Sequence, residues 1–342
     1  MTRLYDKLLE MPGGETDQIM LGGVTKFVEQ LKQAECFQLS QDISFACGDV
    51  LRSKPSSLLG SLDMVRVPYE RTWVEWSPSE REGNRDNHHL FSNEKPQPKR
   101  VGGLIWTDES CARGYLVLAW EHKDGSVMVC PLTVIFNWNS NDTTPVFEQY
   151  LRSMFGHGGW VDETIAKRVA STRTLGMPDK WVRFDNDEEE RRASTELSLR
   201  GEIVPLEIFM PFLSRYKLLP GVEWYESFCD DLAGELPFLE AFFLLLNSRN
   251  TIIRQVRDDF TKLNKVRAKN KKTPLKEFIT TRLRVSKVMG NRAKASGLSR
   301  QQAEMHLVRG HFKVRKSGVY WWSPHPRGAG TLRRRKTYEV HA

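Results

Sequence analysis

No segment of this chain is long and apolar enough to cross a bilayer. The longest apolar run lies around Phe238 to Leu246, and Glu240 interrupts it; a spanning helix needs about 20 such residues. The first residues, Met1 to Lys7, place charges where a secretory signal has its apolar core. Cysteine is sparse. The five (Cys36, Cys47, Cys111, Cys130, Cys229) are odd in number, widely spaced and without a C-x-x-C pair. That pattern argues against a structural zinc site and a disulfide framework, and the expectation is reduced thiols in a cytoplasm. Also missing are GxxxxGK[ST], H-E-x-x-H and G-x-S-x-G, so a P-loop nucleotide site, a zincin and a serine-hydrolase elbow are not expected. No metal and no cofactor is expected.

Negative charge is scarce at the carboxyl end. Residues 254–342 hold 24 Lys and Arg against 5 Asp and Glu, a net of +19, which leaves −11 for residues 1–253. An asymmetry of this kind marks a basic module that meets a polyanion, or a basic end that docks on the acidic body. The other abundance is tryptophan, ten in 342 residues. It favours folded β-structure or aromatic contact surfaces.

The pattern along the chain predicts an α+β protein with an N-terminal antiparallel sheet, a helical middle, and a basic C-terminal helix plus β-hairpin. The expected modules are 1–140, 141–260 and 261–342. Residues 1–60 read as helices and loops, with Val24, Phe27, Val28 and Leu31 at helical spacing. From Asp63 the period shortens. Strands are expected at 64–76 (with a break at Pro68), 101–106, 114–121 and 127–138, with a hairpin turn at Asp124-Gly125. A polar loop spans 77–100 and contains His88 and His89, which read as solvent-exposed. Helices are expected at 146–154, 162–169 and 236–256, the last as core. The run Asp185, Asp187, Glu188, Glu189 and Glu190 reads as a solvated helix start rather than a Mg²⁺ site, because consecutive carboxylates splay apart. Residues 262–272 read as a helix end and linker. Thr273-Pro274 then opens a helix with an apolar stripe at Leu275, Phe278, Ile279, Leu283 and Met289.

The segment 306–338 is the most informative. Strands flank the turn Lys316-Ser317-Gly318, and pairing about that turn sets Arg309 opposite His325 and His311 opposite Ser323. Phe312, Val314, Tyr320 and Trp322 then share a core face. Arg309, His311, Lys313, Arg315, Trp321, Ser323 and His325 share the other. A slip of one residue would undo this sorting. Cations with an aromatic among them suit a nucleic acid, since cations neutralise phosphates and a ring stacks on a base. The candidate contacts are Arg309, His311, Lys313, Arg315, Trp321, His325, Arg327, Arg333, Arg334, Arg335 and Lys336, with Arg282 and Lys287 upstream. DNA or RNA is the expected partner. An acidic host-protein surface would suit the same face. As an enzyme, the alternative is a metal-independent ribonuclease with His311 and His325 as acid and base.

The strings VRGHFK, YWWSPHPRG and KTYEV, with the earlier VPYERTWVEW and RVGGLIW, resemble uncharacterised proteins of bacteriophages, prophages and plasmids. The resemblance covers about a third of the chain. It implies a mobile-element origin and a bacterial host cytoplasm, and it supplies no catalytic residues.

Overall fold

The computed structural model describes residues 3–11, 18–79, 98–138, 188–190, 193, 197, 201–206, 209, 223–251, 253–272, 274–283, 306–308, 310–322 and 325–327. In chain order come α1 (Leu4–Glu10), α2 (Gln18–Gln33), β1 (Glu35–Leu39), α3 (Gln41–Ser53), α4 (Pro55–Leu59), β2 (Arg71–Trp76), β3 (Arg100–Thr107), β4 (Arg113–Glu121), β5 (Val127–Asn137) and β6 (Gly201–Pro205). Then follow α5 (Glu223–Asn247), β7 (Ile253–Arg257), α6 (Thr261–Lys269), β8 (Phe278–Leu283), β9 (His306–Val308), β10 (His311–Arg315), β11 (Gly318–Trp322) and β12 (His325–Arg327).

The α+β class holds. Strands β2 to β5 form the expected antiparallel meander, and Gly125, at φ +87°, sits in the tight turn between β4 and β5. This meander is the middle of an eight-stranded mixed sheet, ordered β6-β5-β4-β3-β2-β1-β8-β7. β1 pairs in parallel with both β2 and β8, and the other neighbours are antiparallel. Strands from all three stretches expected as modules therefore lie in one sheet.

Period-2 alternation sends the sheet's side chains into two cores. Cys36, Trp73, Leu104 and Tyr115 meet α1 and α2 on one face, where Val24, Phe27, Val28 and Leu31 form the buried side of α2 as expected. Phe37, Val74, Trp76, Ile105 and Leu116 meet α3, α4 and α5 on the other. Gly102 in β3 makes room for Trp73 on the α1 and α2 face: a Cβ there would lie 2.1 Å from the Trp73 ring. Within α5, the run from Phe238 to Leu245 is buried, including Glu240, whose Oε1 accepts a 2.7 Å hydrogen bond from the Trp138 indole N–H. A buried carboxylate needs such a donor.

Four local expectations are corrected. Residues 35–39, expected among helices, form strand β1 in the sheet interior. Residues 278–283, expected as a helix after Thr273-Pro274, form β8. The sequence Phe-Ile-Thr-Thr-Arg-Leu is rich in β-formers, and pairing with β1 and β7 supplies ladder bonds on both sides, which outweighs the capping signal. The helix expected at 236–256 stops at Asn247, and 253–257 is strand β7, while the helix end and linker expected at 262–272 are largely one separate exposed helix, α6. The helices expected at 146–154 and 162–169, His88-His89 and Met289 lie outside the described residues.

A candidate nucleic-acid interface

The turn residues Lys316 and Ser317 join β10 to β11, and the closing pair is Arg315 with Gly318. Gly318 has φ +127°, a conformation that strains any side chain, and a Cβ there would also lie 2.9 Å from Arg249 Nε. The turn thus has two residues, not three. The register moves by one: His311 faces Trp322, Phe312 faces Trp321, and Val314 faces Val319. In the same way His325 pairs with Val308 instead of Arg309.

The slip exchanges the two indoles. Trp321, expected on the open basic face, is 4% exposed and packs on Phe312 with ring centroids 4.9 Å apart. Trp322, expected in the core, is 39% exposed and shares a face with His311, Lys313, Arg315 and Tyr320. A two-residue loop is the commonest hairpin connection, so the sequence held a signal for the true register.

The packed face is fixed to the body by polar groups as well as apolar ones. Asn250 bridges the backbone of Trp321, accepting from its N–H at 2.7 Å and donating to its carbonyl at 2.6 Å. The Arg249 N–H donates to the Val319 carbonyl at 3.1 Å, and the Phe312 N–H donates to Ser57 Oγ at 3.3 Å. Phe312, Val319 and Trp321 join the core cluster that contains α5. None of these anchors was legible as functional from the sequence, because each lies far along the chain from the strand it holds.

The open face keeps its cations and its rings together. The His311 imidazole lies along the Trp322 indole at 6.0 Å and 26°. Lys313 Nζ is 5.5 Å from the centre of the Trp322 ring, and the Arg315 guanidinium is 5.5 Å from that of Tyr320. Lys313, Arg315 and Lys316 are exposed, and among the described residues no carboxylate lies within ion-pair distance of them. α6 adds exposed Lys262, Lys265 and Lys269 and has no buried residue.

The remaining candidates fare differently. Arg282 lies in β8, its backbone paired with that of Arg254. His325 and Arg327 are placed in β12 by their backbones only. Arg309, Lys287, Arg333, Arg334, Arg335 and Lys336 lie outside the described residues. For the ribonuclease alternative, His325 pairs at Val308, three positions before His311. The ring set against His311 is an indole, not a second acid–base group.

The other charged centre is neutralised internally. Arg100 reaches Glu75 at 3.3 Å and Glu121 at 3.8 Å, and Glu121 also takes Lys7 at 3.1 Å and Lys99 at 3.0 Å. The Glu75 carboxylate accepts the backbone N–H groups of Leu4 and Tyr5 at the start of α1. Burial pushes the Glu75 carboxyl above its ordinary range despite these donors. At Glu121, burial acts upward too, but the hydrogen bonds from Lys99 and Lys7 prevail and hold the group below its ordinary range. Beside this network, at the carboxyl ends of β1 and β2, is an open cleft of about 430 Å³ lined in part by Glu75, Trp76, Lys99, Arg100 and Lys123. Glu75, the one carboxylate in its lining, ties α1 to the sheet. Glu190, expected as part of a solvated helix start, is buried. It accepts from Lys54 and from the N–H and hydroxyl of Ser56 at the start of α4. No group of three or more candidate metal ligands occurs among the described residues, and no described helix is long and apolar enough to cross a membrane.

Comparison of the chain with protein-family models, curated proteins and solved structures finds no match.

Proposed function

We propose that the protein binds nucleic acid through the open face of the β10–β11 hairpin, with further contact from the basic residues of 254–342. The supporting observation is that Lys313 lies over the exposed Trp322 ring and Arg315 over the half-buried Tyr320 ring, and no described carboxylate neutralises these cations. Cations left available on a fixed surface are what phosphate neutralisation and counterion release require. An accessory protein of a phage or other mobile element, acting in a bacterial cytoplasm, is the wider role in keeping with the sequence resemblance.

The test is binding of labelled oligonucleotides by the full chain across a salt series. Three phosphate contacts predict affinity falling about 20-fold (single strand) to 40-fold (duplex) between 50 and 200 mM salt. Replacing Lys313, Arg315 and Lys316 with Ala should weaken binding and flatten that slope. Absence of binding to any oligonucleotide at low salt would end the proposal. Capture of a host protein by the same face after nuclease treatment, with no oligonucleotide bound, would replace it with an acidic protein partner.

A further inference from the structure

We propose that the ligand of this hairpin is a single strand, DNA or RNA, whose splayed bases stack on Trp322 and Tyr320. This rests on the nucleic-acid reading above and narrows it to one substrate class.

The two faces of the hairpin differ. Phe312, Val319 and Trp321 turn one into the core, with Val314 at its edge left 46% exposed, and Asn250 and Arg249 tie β11 to the body by its backbone. On the free face the aromatic side chains are two residues apart along β11, which sets them roughly 7 Å apart. Bases in one strand of a duplex rise about 3.4 Å per nucleotide, and each base face is covered by its neighbour. Two rings at twice that spacing cannot reach consecutive stacked bases. They suit bases pulled out of the stack, which only a single strand supplies cheaply.

The cations are placed to match. Lys313 stands beside Trp322, and Arg315 beside Tyr320, so each ring has a positive charge within 5.5 Å of its centre. A nucleotide whose base lies on a ring brings its phosphate to within reach of the flanking cation. The pairing of one ring with one cation, repeated along the strand, is the arrangement of a stacking platform in a positive groove. A sequence-tolerant interaction is expected, because every base presents a π face.

The experiment compares the full chain's affinity for a mixed-sequence single strand and for the duplex of the same sequence at one salt concentration. The single strand should bind at least about 10-fold tighter. Trp322→Ala should lower single-strand affinity by about 5- to 150-fold, the range for loss of one stacked base, and leave the salt slope unchanged. Trp322→Phe should restore much of the loss. Circular dichroism would check that both variants keep the native fold. Oligonucleotide binding that is equal or tighter for duplex, or that is unaffected by Trp322→Ala, would overturn this inference while leaving the broader proposal intact. Failure to bind either form would overturn both.

Discussion

Adjacent tryptophans with opposite surroundings allow the hairpin register to be tested by stability alone. Trp321 is 4% exposed, packs 4.9 Å from Phe312, and belongs to the cluster around α5. Truncating it to Ala removes a whole buried indole and leaves a cavity, for which about 3–5 kcal/mol is expected. Trp322 is 39% exposed and lies against the His311 ring and the Lys313 ammonium. Its truncation forfeits an exposed cation–π contact of about 0.5–1 kcal/mol and little else. Urea unfolding followed by far-ultraviolet circular dichroism would measure both without relying on indole fluorescence. The midpoint should fall sharply for Trp321→Ala and by little for Trp322→Ala, with similar slopes. If Trp321→Ala is too unstable to examine, Trp321→Phe should still lose more than Trp322→Phe. A larger loss for the Trp322 variants would restore the register with a three-residue turn, put Trp322 in the core, and refute the assignment of the binding face.

Two further results follow from the contacts. Asn250→Ala strips both hydrogen bonds from the Trp321 backbone and leaves a partly buried N–H and carbonyl without that partner. A loss of about 2 kcal/mol is expected in the same unfolding assay, while Asn250→Asp, which keeps the acceptor, should lose less. The two carboxylates bridged by Arg100 should respond oppositely to acid. Glu121, held below its ordinary value of 4.5, contributes stability that is complete above that value and is lost as pH falls through its lower folded value. The stability difference between wild type and Glu121→Gln should therefore shrink as pH drops below about 4.5 in a pH series of urea unfolding curves. Glu75 is shifted upward, so its folded state favours the proton and its contribution weakens as pH rises above 4.5. An acid dependence unchanged in Glu121→Gln would contradict the ion-pair geometry.

Much of the local structure could be read from the residues. The α2 stripe, the meander from Arg71 to Asn137 with its Asp124-Gly125 turn, and the hairpin at Lys316-Ser317 all follow from periodicity and turn chemistry. β1 escaped notice because five residues, Glu-Cys-Phe-Gln-Leu, are too few to set a period. β8 was obscured because a Thr-Pro pair resembles a helix start until a partner strand is present. Glu190 looked like a surface charge because nothing nearby in the chain shows that Lys54 and Ser56 wait for it.

The residues alone determined that this chain carries a cationic carboxyl quarter with a hairpin in it, since charge and turn signals are local properties. Tertiary structure decided which tryptophan of that hairpin meets solvent. An alternating strand pattern is nearly indifferent to a slip of one position. The choice falls to whichever side chain the pocket beside α5 accepts and to the backbone bonds of Asn250, which hold Trp321 inward and leave Trp322 beside the cations.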